Sequence, residues 1–311
     1  MPASSDRKVI LVTRETRLEG LIARYHTAAQ AKFYVEHLGA DFTDYRREHD
    51  TYLAEKRRTI EILEQWGRYQ IVDRSFLPNF IFGPADIVVA LGQDGLVANI
   101  MKYLDGHPLI GLNPDSGRHD GVLLPFVPSD LAPLLPDVAA DKRAFKSVTM
   151  AKAALTDGQA LYAVNDLFIG ARSHTSALYE IQTATQHETQ SSSGLIVSTG
   201  LGSTAWFKSI VTGSLAIAKA FGEPSETAGY SPWAWDAGEL QFAVREPFPS
   251  KTSQTKLVCG RLTRSEGLRL RSLMPENGVI FSDGIEADRL EFNSGTEARI
   301  TVAERRGKLV I

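Results

Sequence analysis

The feature that most constrains the fold is a series of short, continuous apolar runs in the first part of the chain. Four segments indicate strands: residues 8–13 (KVILVT), 69–76 (YQIVDRSF), 85–92 (ADIVVALG) and 108–113 (PLIGLN). Helical patterns separate them, over about residues 18–38, 43–67 and 96–104. Strands without polar alternation, each followed by a helix, are typical of a parallel sheet covered on both faces. We therefore expect a doubly wound, Rossmann-like α/β domain over residues 1–125.

The pattern changes after the proline-containing segment 123–136 (LLPFVPSDLAPLLP). Helices become rare, and many short segments alternate apolar and polar residues with period two, as in LRLRSL and ARITVAE. This alternation is typical of antiparallel sheets with one packed face. We expect a second, β-rich domain over residues 126–311, whose last strand is able to return to the N-terminal domain.

Composition narrows the classes of function. The 311-residue chain has a formal net charge of −3, which argues against duplex DNA as a partner but not against small anions. Cys259 is the single cysteine, so neither a disulfide framework nor a thiolate zinc site is predicted. No apolar stretch is long enough for a membrane span and the N-terminus lacks a signal-peptide pattern, so the expected location is cytoplasmic.

The first candidate for chemistry is the turn Gly92-Gln93-Asp94-Gly95, which joins a buried strand to a helix. Glycines at both ends would allow positive φ and close approach of a ligand, and a helix N-terminus favours phosphate. An acid there repels phosphate unless it holds Mg²⁺ or accepts a hydroxyl proton. The pattern alone leaves open whether Asp94 has such a role or only caps the helix.

A second glycine-rich segment, residues 194–206 (GLIVSTGLGSTAW), follows another strand. Gly200, Gly202 and Ala205 match the dinucleotide fingerprint, but that motif needs a second parallel strand ending in an acid about twenty residues later. The chain near position 225 is turn-like instead (GEPSETAGYSPW), so we interpret the match as accidental. Neither a nucleophile elbow nor a P-loop is present, which leaves a serine hydrolase unsupported.

Two further polar positions stand inside apolar runs. Asn165 and Asp166 need partners, which a local turn or the hydroxyls of a ligand could provide equally well. Asp283-Gly284 by itself is typical of an ordinary turn.

Taken together, these segments resemble the NAD kinase family, which shares a superfamily with diacylglycerol and sphingosine kinases. The family has a GGDG turn, an Asn-Glu pair, a GSTA(Y) segment and a late Asp-Gly turn. Here GQDG at 92–95, Asn165-Asp166, GSTAW at 202–206 and Asp283-Gly284 follow in the same order. Residues 111–125 and 165–181 are most similar to the mitochondrial-type branch.

The resemblance implies a role for each matched residue. Asp94 would be the catalytic acid that serves the 2′-hydroxyl of NAD's adenosine ribose, and Gly92, Gln93 and Gly95 would bind the phosphates of ATP. Mg²⁺ would arrive with ATP rather than occupy a protein-built metal site, with Asp94 as its one candidate ligand. Contacts to NAD would come from Asn113, Asn165, Asp166, Ser203, Thr204, Ala205, Trp206 and Asp283. The partners expected are ATP, NAD and further copies of the chain in a homodimer or larger homo-oligomer.

Departures from the family pattern keep other functions open. Gln93 replaces a glycine and adds a side chain where phosphates should pass, Leu96 replaces a threonine, and Asp166 replaces a glutamate. A kinase of the same fold acting on a sugar or lipid hydroxyl, or using another donor such as polyphosphate, is one alternative. A non-catalytic dinucleotide-binding protein is another, and a Rossmann dehydrogenase is a third.

Overall fold

A computed structural model describes residues 7–222 and 230–311, and its contacts divide the chain into two compact units. Unit 1 comprises residues 1–146 together with 308–311, and unit 2 comprises residues 147–307. The division comes later than Pro125, because the helix that follows Pro125 packs its Leu131, Leu134 and Val138 into the core of unit 1. The last four residues belong to unit 1.

Unit 1 contains a parallel sheet with the strand order β2-β1-β3-β4. Its strands are β1 (Val9–Thr13), β2 (Tyr69–Asp73), β3 (Ile87–Leu91) and β4 (Pro108–Leu112). Residues 308–309, at the end of the final strand β16 (Glu297–Val310), pair in parallel with β4. Every residue of β1 and β3 is buried, as expected for strands covered on both faces. The predicted α/β fold class is confirmed.

Five helices accompany this sheet: α1 (Arg17–Tyr25), α2 (Ala28–His37), α3 (Phe42–Trp66), α4 (Asp94–Met101) and α5 (Leu131–Ala139). The single helix expected over residues 18–38 is wrong. His26 adopts a left-handed conformation at φ 69°, and the Thr27 side chain then accepts the N–H of Gln30 to start a second helix. The helix expected over about residues 43–67 is confirmed as α3, with Asp41 as its N-cap and Gly67 after its end.

Unit 2 contains two sheets packed around one apolar core, to which strands of both sheets contribute. One sheet has the order β16-β13-β8-β9, with β5 on β16 and β6 on β5; the other has the order β12-β11-β10-β7-β14-β15. The strands are β5 (Phe145–Leu155), β6 (Ala160–Ala163), β7 (Asp166–Ala171), β8 (Ala177–Gln182), β9 (His187–Ser192), β10 (Leu195–Ser198), β11 (Glu239–Val244), β12 (Cys259–Thr263), β13 (Leu268–Ser272), β14 (Gly278–Ser282) and β15 (Ile285–Glu291). Helix α6 (Trp206–Ala220) follows β10. The β-rich character expected of the second part is confirmed.

Candidate active site

The GQDG turn of unit 1 lies at the point where the sheet changes its winding direction. After β1 the chain adds β2 on one side, and β3 then returns to the other side of β1. Open α/β sheets bind ligands outside the carboxyl ends of the strands at such a switch point. Residues 92–95 directly follow β3, and Arg14 directly follows β1. The topology therefore supports a ligand crevice flanked by these two segments of unit 1.

Asp94 is the first residue of α4 and is not its cap. The N-cap is Gln93, whose side chain makes no capping hydrogen bond. Oδ1 of Asp94 instead accepts the backbone N–H of Leu123 at 2.7 Å, which ties the turn to the segment that follows β4. The interpretation of Asp94 as a helix cap is wrong, and its carboxylate holds a loop distant in sequence.

The two glycines of the turn differ from expectation. Neither adopts positive φ. A Cβ added to Gly92 would lie 2.8 Å from the Leu96 side chain, whereas one added to Gly95 would meet nothing within 4 Å. Gly92 therefore allows the end of β3 to pack closely against α4, the helix that follows it. Gly95 leaves open space over the start of α4. Gln93 is exposed beside that space.

Asn113 and Asp94 hold the same loop. The buried Asn113 amide donates from Nδ2 to the carbonyl of His119 at 3.1 Å, and its Oδ1 accepts the N–H of Asp115 at 3.1 Å. Its backbone N–H donates to the carbonyl of Phe126 at 2.7 Å. Both ends of the amide are thus engaged within the loop. The structure supports a positioning role for Asn113 and does not test its predicted contact with NAD.

Arg14 is a buried cation beside the turn that sequence reasoning missed. Its Cδ lies 3.5 Å from where a Cβ on Gly92 would be. One guanidinium nitrogen donates to Glu48 at 2.9 Å and another to the carbonyl of Glu15, while the buried Nε has no hydrogen-bond partner within the described residues. A charged residue immediately after the strand sequence VILVT was the available sequence signal.

Glu48 compensates the charge of Arg14. Burial alone would raise the pKa of Glu48, but hydrogen bonds from Arg17 and Arg14 outweigh it and hold the pKa below its ordinary value. Glu48 therefore stays ionised at neutral pH, although its side chain is buried. Tyr52 fixes the same corner, because its hydroxyl accepts the N–H of Arg14 and donates to the carbonyl of Leu91. The charges of both signs along α3 predict a solvated helix face, but Glu48 is buried.

In unit 2, Asn165 lies in the turn between β6 and β7, and Asp166 is the first residue of β7. Asp283 organises this turn. The Asp283 carboxylate accepts the backbone N–H groups of Val164, Asn165 and Asp166 at 2.6–3.2 Å. Asp283 itself adopts the left-handed conformation at φ 53°, with Gly284 at φ 73° after it. Asp283 therefore shapes this turn through its side chain, which is more than the ordinary turn that the dipeptide suggested.

Asp166 is a buried carboxyl with a raised pKa. Its side chain is 6% exposed. Desolvation by burial, followed by the negative charge of Asp283, raises the pKa of Asp166 to about 7. Near neutral pH this carboxyl therefore exchanges readily between a form that donates a hydrogen bond and one that only accepts.

The glycine-rich segment packs its backbone against this same turn. A Cβ on Gly202 would lie 2.1 Å from the carbonyl oxygen of Asn165, and the N–H of Thr199 donates to that oxygen at 2.9 Å. A short 3₁₀ helix over Gly202–Thr204 leads into α6. The strand before it, β10, is antiparallel to both of its neighbours, so the fingerprint match at Gly200 is accidental as predicted. Part of the turn-like sequence near position 225 lies outside the described residues.

The residues of segment 203–206, which are predicted to contact NAD, differ in their accessibility. The Ser203 hydroxyl is fully buried and donates to the carbonyl of Gly200 at 2.6 Å, whereas Thr204 and Ala205 are exposed. The half-buried Trp206 ring is parallel to Phe168, with centroids 5.9 Å apart and an interplanar angle of 4°. The Arg245 guanidinium lies 5.5 Å from the Trp206 ring centroid. Trp206 therefore belongs to an aromatic stack of the protein itself.

The structure brings the predicted residues together in two groups. Within unit 1, Gly92, Gln93, Asp94 and Gly95 form one turn, and Asn113 holds the loop bonded to Asp94. Within unit 2, the turn of Asn165 and Asp166 is held by Asp283, and the segment of Ser203, Thr204, Ala205 and Trp206 begins against it. Over residues 7–222 and 230–311, no three His, Cys, Asp or Glu side chains cluster in a way that could hold a metal. No helix in those same ranges is long and apolar enough to cross a membrane.

Comparison with known proteins shows what the chain is similar to. No protein-family model matches it. It is 34% identical over 131 residues to the NAD kinase of Cupriavidus pinatubonensis (39% of this chain, 42% of that protein). It is 33% identical over 138 residues to that of Burkholderia cenocepacia (42% and 45%). The matched region thus spans less than half the length of these curated relatives.

Two solved structures resemble the whole chain in fold. Yeast NADH kinase complexed with NADH superposes with a TM-score of 0.57 at 13% identity, covering 98% of this chain and 83% of the other. An NAD kinase from Archaeoglobus fulgidus in complex with ATP gives 0.55 at 14% identity, covering 97% and 93%. The resemblance to the NAD kinase family that the ordered motifs indicated is confirmed. The comparisons do not distinguish the mitochondrial-type branch.

Proposed function

We propose that this chain, similar to the NAD kinases in sequence and fold, transfers the terminal phosphoryl group of ATP to the 2′-hydroxyl of NAD's adenosine ribose and so makes NADP. The observation that carries the proposal is the Gly92–Gly95 turn at the switch point of a parallel sheet, with Asp94 at the start of α4. The fold neighbours add support, since one is described with ATP and the other with NADH.

The surroundings of the turn suit phosphates. The start of α4 presents backbone N–H groups and the positive end of a helix dipole, above which Gly95 leaves space. Arg14, although paired with Glu48, keeps a buried Nε–H near Gly92 that has no hydrogen-bond partner within the described residues. Phosphoryl transfer depends chiefly on positioning and on stabilisation of the charge on the transferred group, and these groups provide both.

Asp94 is suited to accept the proton of the reacting hydroxyl. Its Oδ1 is fixed by the N–H of Leu123, while Oδ2 has no hydrogen bond within the described part of the chain. One oxygen thus orients the carboxylate and the other remains able to take the proton as the oxygen–phosphorus bond forms. In unit 2, the turn of Asn165 and Asp166 offers amide and carboxyl groups for the hydroxyls of NAD, as the family resemblance implies.

Mg²⁺ fits this arrangement as a partner of ATP. Mg²⁺ is usually held by one or two carboxylates together with substrate phosphates and water, so a single carboxylate at the turn is sufficient. Asp94 is the residue that would contact it. When bound, the ion would neutralise phosphate charge.

The test replaces Asp94 by asparagine. Purified protein, Mg-ATP and NAD are incubated, and NADP is followed with an NADP-specific coupled dehydrogenase. Asp94→Asn should lower the rate of NADP formation by roughly 10²–10⁴-fold because the base is lost. The melting temperature should hardly change, because the Asn oxygen still accepts the N–H of Leu123. Asp130→Asn is the matched control, since Asp130 also accepts a loop N–H in unit 1, that of Val127 at 2.9 Å.

The same assay separates two other functions. The bond from Leu123 gives Asp94 a structural task, which favours a non-catalytic dinucleotide-binding protein. That reading predicts saturable NAD binding without turnover of any donor. Turnover of ATP or polyphosphate only with sugar or lipid acceptors would instead support a kinase acting on another hydroxyl. Full activity in Asp94→Asn would exclude Asp94 as the base.

A further inference from the structure

A row of cationic and hydrogen-bonding side chains crosses the outer face of one sheet of unit 2. Along β13, Leu268 and Leu270 point into the core while Arg269 and Arg271 are exposed between them. The strand pairing fixes which side chains stand beside these arginines on the outer face. Arg269 lies opposite Arg299 of β16 on one side and Gln182 of β8 on the other. Gln182 in turn pairs with His187 of β9.

The neighbouring row sets its arginine between acidic side chains, whereas this row does not. Arg271 lies between Glu297 of β16 and Glu180 of β8, and it is 3.8 Å from the Glu180 carboxylate. Arg269 and Arg299 make no ion pair with an acid within the described residues. Like charges directly opposite on paired strands destabilise a sheet. Repulsion between Arg269 and Arg299 therefore destabilises this part of the sheet, and a bound anion would relieve that repulsion.

The surface is recessed at these arginines. A cavity of about 570 Å³ is lined by both of them, together with Gln182 and His187. Arg271 of the next row and its acidic neighbours Glu180 and Glu297 line the same cavity. A second recess of about 310 Å³ shares Arg269, Arg299 and Gln182 with the first and is also lined by Glu266. Arg269 and Arg299 therefore stand at the junction of two depressions, where both guanidinium groups could contact one small ligand.

We propose that Arg269 and Arg299, assisted by Gln182 and His187, form a binding site for a compact phosphate-type anion, separate from the proposed kinase site. Arginine forks bind phosphate oxygens in pairs of parallel hydrogen bonds, and two facing forks suit an anion with two or more charges. The anion is compact because, among the described residues, no Phe, Tyr or Trp ring lines either recess to stack on a base. Glu180 and Glu297, one row away, would also repel a long polyanion.

Pyrophosphate and inorganic phosphate are the probes, titrated into the full chain by isothermal calorimetry at low ionic strength. Arg269→Gln and Arg299→Gln should each weaken pyrophosphate binding by roughly tenfold or more, since a hydrogen bond to a charged group is lost. Arg271→Gln is the matched control, because it removes an exposed arginine from the same strand that already has acidic neighbours. It should leave the affinity within about threefold. Without anion, Arg269→Gln should melt no lower than wild type, because like-charge repulsion is relieved.

Because the titration measures anion binding directly, it tests this second site independently of the proposed kinase activity. Pyrophosphate held at the Gly92 turn would bind Arg269→Gln as tightly as wild type, and that result would overturn the second site, as would the absence of saturable binding. Glycerol phosphate distinguishes two sources of the anion. If glycerol phosphate binds as tightly as phosphate, the site takes a phosphate group carried by a small metabolite. If it binds more weakly, the site takes the free anion. In both cases, the binding must depend on Arg269 and Arg299.

Discussion

At the scale of single residues, the candidate carboxylates have contrasting surroundings that their motifs alone do not distinguish. Asp94 is half-buried and accepts one backbone N–H, whereas Asp283 accepts three and shapes a turn. Asp166 is nearly inaccessible and lies close enough to Asp283 for its pKa to rise. The three acids therefore differ in their surroundings: Asp94 has one oxygen without a hydrogen bond within the described residues, Asp283 holds a turn, and the pKa of Asp166 lies near neutrality.

The raised pKa of Asp166 predicts a stability that depends on pH. Between its ordinary pKa of 3.8 and about 7, the folded protein retains a proton that the unfolded chain has released. The unfolded state then binds fewer protons, so the free energy of unfolding contributed by this group falls as pH rises through that window. Asp166→Asn removes the penalty and should raise the free energy of unfolding by on the order of 2–4 kcal/mol at about pH 8, with little change at about pH 4.

Denaturant titrations at those two pH values test this expectation. Asp157→Asn is the control, because Asp157 is an exposed turn residue whose pKa is lowered by hydrogen bonds from Gln159. It should give no gain at the higher pH. An equal change for Asp166→Asn at both pH values would show that Asp166 ionises normally in the folded protein.

At the scale of secondary-structure elements, the contact between the glycine-rich segment and the turn at Asn165 admits no side chain. In Gly202→Ala the new Cβ would lie 2.1 Å from a backbone carbonyl oxygen, so one of the two segments must move. We expect Gly202→Ala to cost more than about 2 kcal/mol of stability and to weaken NAD binding. Gly213→Ala within α6 is the matched control; its Cβ meets nothing within 4 Å, and it should stabilise by roughly 0.4–1 kcal/mol. Calorimetric melting and NAD titration measure both effects, and a Gly202→Ala protein as stable as wild type would refute the close contact.

Elements were predictable where apolar pattern and capping agree, and they were missed where polar side chains are buried. The strand at β1 and the long helix α3 follow from their patterns and from Asp41 and Gly67. Strand β9 (HETQSS) has no apolar alternation, yet Glu188, Gln190 and Ser192 are buried. Gln190 donates to Glu188 and to the carbonyl of Leu257, which is a partner distant in sequence. Such partners exist only in the folded chain, so the sequence pattern did not indicate the strand.

The candidate site shows the same limit. The motif order indicated which short segments matter, because each is a local turn with recognisable residues. Their hydrogen bonds were not predictable, because each joins segments that are far apart in the sequence. The examples are Leu123 to Asp94, Val164 to Asp283 and Arg14 to Glu48. The sequence therefore indicated the segments of the candidate site but not the hydrogen-bond partner of each side chain.

At the scale of the whole molecule, the chain ends in the unit where it began. Strand β16 leaves unit 2, and residues 308–311 return to unit 1, where Leu309 pairs with Leu109 of β4 and Val310 joins the core. Ile311 donates its N–H to the carbonyl of Ala144. An N-terminal fragment of the chain therefore lacks one strand of its own sheet, so the two units are not independent segments of sequence.

Removing residues 308–311 should consequently weaken unit 1 more than unit 2. The truncation exposes the edge of β4 and empties the core positions of Leu309 and Val310, which are 1% and 2% exposed. Hydrogen exchange should show lost protection in β4 and β3, with β10 and β7 of unit 2 nearly unchanged. Leu309→Ala should give the same regional pattern in milder form, costing about 2–5 kcal/mol. Equal loss in both units would mean that they unfold as one cooperative body, and the returning strand would then stabilise the molecule globally rather than complete one sheet.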